Sequence, residues 1–258
     1  MFAADLPQDY EITDSLLSET AFVRILLRGD WARETAPGVW TGADSTLLFG
    51  GNSRPVRVRV KGSFTVLGFA IRPSGWKALF SKSAETYADS IVPLADVWGD
   101  IATRMTAELL SATEDAEIVA AMERAITAQL NHIGHRKTDE QIAEFERIAR
   151  IDSTTKILDA AAQLGMSVRQ LERRCLESFG ITPKTVLRRS RFLDMATAIR
   201  GFSTPNEEEL AGLRYFDQSH LNREFWRFAG MPPGAFANAT TPLLTAGLEL
   251  RDQGKALL

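Results

Sequence analysis

Side chains that bind metals or form disulfides are scarce in this sequence of 258 residues, which has one cysteine and three histidines. The lone Cys175 forms no intramolecular disulfide, as expected in a reducing cytoplasm, and its place on an apolar stripe predicts a packing role. No apolar run approaches the roughly 18 residues that span a membrane. The N-terminus lacks the basic and apolar regions of a secretory signal. We therefore expect a cytoplasmic protein without a membrane partner.

Catalytic motifs are scarce as well. The sequence has no Ser/His/Asp spacing, no glycine-rich phosphate loop and no cluster of metal ligands, so we predict no enzyme, no cofactor and no metal site. The segment His132–His135 spells HIGH, a signature of one class of aminoacyl-tRNA synthetases. It follows a long helical segment and has no phosphate-binding context, so we interpret it as part of a polar linker between domains.

The most informative stretch of the chain predicts two short helices joined by a tight turn. Apolar residues recur at helical spacing over Thr154–Leu164, and Gly165 ends this first helix. Ser167 and Gln170 then have the spacing of a capping box, which satisfies orphan backbone donors at the start of the second helix. The sequence therefore marks the turn between the two helices clearly.

The second helix is predicted to be apolar on one face and charged on the other. Its outward residues near the N-terminal end are Arg169, Glu172 and Arg173. A helix-turn-helix places such a helix in the major groove of DNA. The alternative is an ordinary helical hairpin whose charged face is solvated.

A long helix and a second unit follow. Thr182 and Pro183 start the long helix, which has no interior breaker and ends at Gly201. The second unit is predicted to contain a short helix, a turn at Arg214–Asp217 and a helix over Ser219–Phe228. The long helix would thus link two reading helices.

Two helix-turn-helix units on one linker helix resemble the DNA-binding domain of the AraC/XylS family of bacterial transcription factors. The resemblance covers about residues 142–239. Its most specific piece is YFDQSHLNREFWRFAGMPPGAF at Tyr215–Phe236, and AAAQLGMSVRQLERRC matches the first unit. It implies a transcriptional regulator that binds double-stranded DNA, forms a homodimer as many relatives do, and contacts RNA polymerase if it is an activator.

The second unit departs from the family pattern. Arg214 stands where the family usually has glycine, at a position that often needs a positive φ, and the segment Leu210–Tyr215 is about one residue short. The acids Glu207–Glu209 begin its first helix, where they suit the helix dipole but not nearby phosphates. These features favour an alternative function, a regulator that binds proteins or small molecules and whose second DNA-reading unit is degenerate.

The net charge of −3 is divided unevenly along the chain. Residues 1–150 carry 16 basic and 21 acidic side chains, residues 151–200 carry 9 and 5, and residues 201–258 carry 5 and 7. The positive balance of +4 therefore falls on the first unit and the linker helix. Phosphate binding requires such a concentration of basic side chains.

The site residues follow from the outward faces of the helices. Arginine fits guanine, glutamate accepts from cytosine, and asparagine or glutamine fits adenine, so base readout is predicted for Arg169, Glu172, Arg173, Gln218, Ser219, Asn222 and Arg223. Phosphate contacts position a protein without specifying sequence, and they are predicted for Lys184, Arg188, Arg189, Arg191 and His220. For His220, packing on the turn is an equal alternative.

The N-terminal part is predicted to be rich in strands. Phe22–Leu27 and Thr46–Phe49 are apolar runs, Val56–Gly62 alternates strictly, and Phe64–Ile71 is almost continuously apolar. The pair Gly62-Ser63 suggests a hairpin. Helices are predicted from Pro73 onward. The segment at about residues 64–99, with FAIRPSGWKALF and IVPLADVWGD, is similar to the N-terminal domain of one AraC-like subgroup, which implies a small barrel-like domain for sensing or dimerisation.

Together these patterns predict an α+β protein. A β-rich, small barrel-like N-terminal domain with helices would span residues 1–135, and an all-α domain of two helix-turn-helix units would span 136–241, before a tail at 242–258. Apolar residues on the helices Ile101–Leu110 and Glu114–Leu130 predict a dimer contact. A small-molecule effector could bind in a pocket lined by strand aromatics, although core packing is their commoner role; the candidates are Trp31, Trp40, Phe49 and Phe69.

Overall fold

The N-terminal part of the protein is a bent antiparallel sheet covered by helices. The computed structural model describes residues 2–17, 19–42, 46–203 and 218–255. The sheet has the order β1-β6-β3-β5-β7, while β2 also pairs with β6 and β4 with β3. The strands are β1 (Phe2–Ala4), β2 (Glu11–Leu16), β3 (Ala21–Ala36), β4 (Val39–Gly42), β5 (Thr46–Phe49), β6 (Val56–Ile71) and β7 (Ile91–Pro93).

The long strands β3 and β6 form the centre of the sheet. They pair over most of their lengths, with register shifts between Leu26 and Arg28 and between Arg28 and Asp30. Such bulges bend a strand and increase its twist. The hairpin predicted at Gly62-Ser63 is wrong, because β3 pairs with β6 on both sides of this position. Gly62 has a φ of +65° and lies inside one continuous strand.

The two faces of β3 serve two different cores, because successive strand side chains point to opposite faces. Val23 and Ile25 pack against the helices that cover the sheet. Phe22 and Leu26 face the other way, into a core that contains the buried Trp31. The sequence alternation of β3 is thus that of a strand covered on both sides.

Four helices follow the main strands and cover one face of the sheet. They are α1 (Trp76–Leu79), α2 (Ala95–Trp98), α3 (Asp100–Ser111) and α4 (Asp115–Ile133), with short 3₁₀ turns at Pro73–Gly75 and Ala84–Tyr87. Met105 and Leu109, which the sequence suggested for a dimer contact, are buried in the core of this domain. Leu110 and Val119 remain more than half exposed, at 53% and 55%.

The C-terminal part is helical. Its helices are α5 (Glu140–Ile151), α6 (Ile157–Gln163), α7 (Val168–Phe179), α8 (Pro183–Ile199), α9 (Gln218–Ala229), α10 (Pro233–Asn238) and α11 (Pro242–Lys255). The β-rich N-terminal region followed by helices confirms the predicted fold class.

The helix α11 joins the last part of the described chain to the N-terminal sheet. The carboxylate of Asp14 on β2 accepts hydrogen bonds from the backbone N–H groups of Leu243 and Leu244, at 2.7 and 3.1 Å. Near the other end of α11, the buried Arg251 is paired with Glu19 and with Asp194. The segment set apart as a tail in the sequence is therefore a helix held at both ends.

Candidate nucleic-acid interface and ligand cavity

The first helix-turn-helix unit has the predicted local structure. Gly165 takes a φ of +65° in the turn between α6 and α7. The backbone N–H of Ser167 donates to Oε1 of Gln170 at 2.8 Å, and the N–H of Gln170 donates to Oγ of Ser167 at 3.3 Å. This capping box satisfies donors that no helical carbonyl can reach. The start of α7 is therefore fixed by local contacts.

The inner face of α7 is fully packed. Leu171 and Cys175 are 0% exposed and Phe179 is 5% exposed, in a core shared with α5, α6 and α8. Burial raises the pKa of the Cys175 thiol far above its ordinary value. The thiol therefore stays protonated and acts as a small apolar side chain, as the sequence predicted.

Arg169, Glu172 and Arg173 are all exposed on the outer face of α7. Arg173 has an acidic neighbour one turn away, with Nε 3.9 Å from Oε1 of Glu177. Exposed pairs of this kind contribute little to stability. Arg173 can thus exchange this contact for another partner at small cost.

The end of α7 lies directly against the N-terminal domain. A Cβ added at Gly51 would lie 2.1 Å from the carbonyl oxygen of Phe179, so only glycine permits this approach. The hydroxyl of Ser83 donates to the carbonyl oxygen of Leu176 at 3.4 Å. Helix α7 therefore packs onto residues of the N-terminal domain through its C-terminal turn.

Four basic residues along the linker helix were predicted to contact phosphate, and two of them have side chains that are at least partly exposed and make no ion pair within the described residues. Lys184 is exposed and Arg191 is half-buried, and Arg191 donates a hydrogen bond to the carbonyl oxygen of Ser153 at 3.1 Å. Arg188 is paired with the buried carboxylate of Glu224 on α9. That pair holds the linker helix to the second reading helix.

The prediction that Arg189 contacts phosphate is wrong. Its side chain is 1% exposed and donates hydrogen bonds to the backbone carbonyl oxygens of Asn52 and Glu19, both in the N-terminal domain. Burial lowers the pKa of Arg189 to about 10, which still leaves the guanidinium charged at neutral pH. Because helix α8 is surrounded by both domains, Arg189 joins them and does not face solvent.

Helix α9 is packed through aromatic side chains. Phe225 and Phe228 are fully buried, and their ring centroids lie 5.0 and 5.4 Å from that of Phe192 on α8. Of the predicted base-reading residues, Ser219 and Arg223 are exposed and Asn222 is half-buried. The side chains of Gln218 and His220 lie outside the described residues, as do Arg214 and Glu207–Glu209.

One outward residue of α9 was missed in the sequence. Trp226 is 59% exposed, and it follows Ser219 by seven residues and Arg223 by three. Residues at these spacings share one face of a helix. The helical spacing of Trp226 from Ser219 and Arg223 is the signal in the sequence that indicates this position.

A cavity of about 740 Å³ lies between the sheet, α5 and α11. Its size is in the range of sites for small organic ligands. It is lined by Leu16, Leu17, Glu19, Thr20, Phe22, Val23, Arg24, Val66 to Ala70, Arg72, Glu146, Arg150, Leu193, Leu243, Leu244, Ala246 to Glu249 and Arg251.

The four predicted pocket aromatics are not brought together. Of these, only Phe69 lines the cavity. Trp31 and Phe49 are buried in the core that Phe22 and Leu26 face, and both of their rings contact Arg24. Trp40 lies elsewhere, with its ring beneath the guanidinium groups of Arg57 and Arg59. For Trp40 the prediction is wrong, because β4 pairs with the C-terminal end of β3, at Ala32 to Ala36.

Arg24 is the most unusual residue of the cavity. Its guanidinium carbon lies 4.8 Å from the ring centroid of Trp31 and 5.6 Å from that of Phe49. Burial lowers its pKa to about 10. Within the described part of the chain Arg24 has no carboxylate partner, whereas the cavity's Arg72 is paired with Glu146 and its Arg251 with Glu19.

The described residues contain neither a cluster of metal ligands nor a helix that could cross a membrane. Residues 2–17, 19–42, 46–203 and 218–255 contain no group of three or more histidine, cysteine or acidic side chains placed to hold a metal ion. No helix within these same ranges is both long enough and apolar enough to cross a membrane.

Comparison with known proteins finds a family match in the C-terminal part and a fold match over most of the chain. Residues 160–239 match the family described as a helix-turn-helix domain, and no curated protein matches the chain. ToxT from Vibrio cholerae, in its P21 crystal form, is similar over 92% of this chain and 97% of that chain, with 11% identity and a TM-score of 0.51.

Two further structures are less similar. ToxT from Vibrio cholerae O395 bound to (E)-4-(8-methylnaphthalen-1-yl)but-3-enoic acid has 12% identity and a TM-score of 0.48, with coverage of 91% and 98%. The AraC-like transcriptional activator CuxR has 15% identity and a TM-score of 0.28, with coverage of 69% and 68%. The first ToxT structure thus shares the two-part fold of this chain.

Proposed function

We propose that the chain is a DNA-binding regulator of the AraC/XylS family and that it reads a specific DNA sequence with α7 and α9 in the major groove. The observation that carries this proposal is the outer face of α7. Arg169, Glu172 and Arg173 are exposed directly after a complete capping box, while the opposite face is fully packed. A helix that reads DNA needs a packed inner face that fixes its position, together with exposed polar side chains at its N-terminal end.

Each reading helix has a defined chemistry. On α7, arginine side chains would donate to O6 and N7 of guanine, and Glu172 would accept from N4 of cytosine. On α9, Ser219, Asn222 and Arg223 would face the bases, as would Gln218. Lys184 and Arg191 on the linker helix, with His220 on α9, would contact phosphates and set the register.

A mobility-shift titration with genomic promoter fragments tests the proposal. The double variant Arg169→Ala/Arg173→Ala is expected to lose the selective shift. Its matched control is Arg104→Ala, which removes an exposed arginine on α3 in the other domain and should leave the shift unchanged. If the wild-type protein shifts no fragment at low salt, the alternative of a protein-binding regulator is favoured.

We further propose that the cavity holds the effector of this regulator, a small organic molecule with an apolar body and one negative charge. Arg24 supports the charge. It is half-buried among aromatic rings and has no carboxylate partner in the part of the chain that the structure describes, so its desolvation has a cost that an anionic ligand would offset. The leucine, valine and phenylalanine side chains of the lining support the apolar body.

The cavity also borders the second reading unit. Leu17, Leu193, Leu244 and Leu248 line the cavity and belong to the same hydrophobic core as Phe225 and Phe228 of α9. A bound ligand would therefore contact the core that positions α9. This shared core supports control of DNA binding through the N-terminal domain.

Dodecanoate is a suitable probe for the cavity, with dodecanol as its uncharged control. Dodecanoate is expected to raise the melting temperature of the wild-type protein, and dodecanol to raise it much less. In Arg24→Met the two probes should act alike. An equal effect of both probes on the wild-type protein would exclude Arg24 as an anion site without bearing on DNA binding.

Partners of the regulator follow from its family. A homodimer is proposed through the exposed apolar residues Leu110 on α3 and Val119 on α4, near the turn that joins these helices. RNA polymerase is a partner if the regulator is an activator.

A further inference from the structure

The outer face of α9 carries an exposed tryptophan. Three of the five tryptophans, Trp31, Trp76 and Trp98, are at most 4% exposed, and Trp40 is half-buried. Trp226 is 59% exposed, although Phe225 beside it in sequence is completely buried. Its exposure follows from its helical position, which points away from the aromatic core.

The neighbours of Trp226 on this face are polar. Ser219 and Arg223 precede it by seven and three residues, and Arg227 follows it; all three are exposed. A protein partner would need a wider apolar patch than one indole ring. Two arginines beside a flat apolar ring instead complement DNA, which offers phosphates and the methyl groups of thymine along the same groove.

We propose that Trp226 determines sequence specificity, by packing its indole ring against the C5 methyl group of a thymine in the major groove. The inference rests on the proposed function, because it requires that α9 enter the groove. Arg223 would bind the neighbouring base or phosphate, so the second reading helix would combine one apolar and one charged contact.

Selection from a pool of random duplexes gives the first test. The full-length protein should select a site with a thymine at a fixed position in one half. Trp226→Gln should lose the preference at that position and keep the preferences in the other half. The substitution is at an exposed site, so the melting temperature should not change; a measured melting curve verifies this.

Replacement of the selected thymine by deoxyuridine isolates the methyl group. One buried methyl group corresponds to about a fourfold change in affinity. Deoxyuridine should therefore weaken binding of the wild-type protein about fourfold and leave binding of Trp226→Gln unchanged. An equal loss in both proteins would overturn the proposal.

Tryptophan fluorescence provides an independent readout. Binding of the selected duplex should change the emission of the wild-type protein, and this change should persist in Trp40→Phe and disappear in Trp226→Phe. If no duplex is selected at all, the proposed function itself fails. If a duplex is selected but the emission is unchanged, α9 binds without Trp226, and a protein partner for this residue becomes the better explanation.

Discussion

Arg188 on the linker helix α8 is paired with Glu224 on α9, and the side chain of Glu224 is 2% exposed. The pair connects α8 to α9 across the core that surrounds Phe192. Sequence spacing alone had assigned Arg188 to phosphate. The contact instead makes the orientation of α9 depend on a charge from α8.

Removal of the Arg188 side chain should therefore lower the stability of the folded protein, and its main effect should not be the loss of a DNA contact. Arg188→Ala leaves the carboxylate of Glu224 buried without this partner, so we expect the free energy of unfolding to fall by about 3 kcal/mol. Urea denaturation measures the change, and the exposed Arg104→Ala should change it by less than about 0.5 kcal/mol. Unchanged stability together with weaker DNA binding would restore Arg188 to the phosphate contacts.

DNA affinity should depend steeply on salt. With Arg189 buried and Arg188 paired, roughly five basic side chains remain for DNA, which predicts a log-log slope of about −4.5. Lys184→Ala should reduce the magnitude of the slope by about 1, whereas Lys82→Ala, an exposed lysine of the N-terminal domain, should not change it. A slope near zero would contradict DNA binding.

Helices α7 and α9 should contribute unequally to the free energy of DNA binding. The first is held by its capping box and by the N-terminal domain, so Arg173→Ala is expected to cost about 1–3 kcal/mol of binding free energy and to relax preference at one base pair. Arg223→Ala should cost less. Arg214→Gly should improve binding if strain weakens the second unit. Titrations of these variants against one duplex decide the question, and equal losses at Arg173 and Arg223 would show that both helices bind alike.

The contact between Asp14 and α11 should be sensitive to pH. Burial raises the pKa of Asp14 above its ordinary value of 3.8, against the opposing effect of its backbone hydrogen bonds. The folded protein therefore binds this proton more tightly than the unfolded chain. The contribution to stability is fully present below pH 3.8 and is lost as the pH rises through the raised pKa.

Two substitutions at Asp14 separate charge from hydrogen bonding. Asp14→Asn keeps an acceptor for the N–H groups of Leu243 and Leu244 and removes the pH dependence. Because it also removes the buried charge, its stability at neutral pH should equal or exceed that of the wild-type protein. Asp14→Ala leaves both groups without an acceptor and should cost about 1–3 kcal/mol. Thermal unfolding at several pH values tests this; identical curves for the two variants would contradict the role of the carbonyl oxygen.

The dimer is tested by sedimentation of the full-length protein at tens of micromolar. Leu110→Glu places a charge on the exposed end of α3 and should shift the dimer to monomer, because a buried unpaired charge is unfavourable at an interface. Arg104→Glu, at another exposed site on α3, serves as the control for a change of charge alone. A wild-type monomer at this concentration would exclude the dimer.

Local signals explain what the sequence predicted well. The capping box at Ser167 and Gln170, the turn at Gly165 and the start of α8 at Thr182 depend on neighbours within a few residues. The interactions that determine these features all lie within a short stretch of sequence. The outward position of Arg169 and Arg173 followed from the same helical spacing.

Long-range contacts explain what was missed. Arg189 donates to Asn52, 137 residues away, and no helical period reveals that α8 is buried by a second domain. Arg24 was unremarkable in the sequence, because its aromatic neighbours come from other parts of the sheet. Glycine occurs in both turns and β-bulges, so the sequence at Gly62 predicts a turn as readily as a bulge. Only the pairing of the strands distinguishes the two.

The hydrogen bond from Leu243 to Asp14 joins residues 229 positions apart, and this separation has a consequence for synthesis. A ribosome makes β2 early and α11 late, so the nascent N-terminal sheet lacks one wall of its cavity until α11 has left the exit tunnel. A chain halted before residue 242 would present that opening, with Leu17 and Arg24, to chaperones and proteases. The same helix that closes the cavity would then distinguish interrupted products of translation from those that carry residues 242–255.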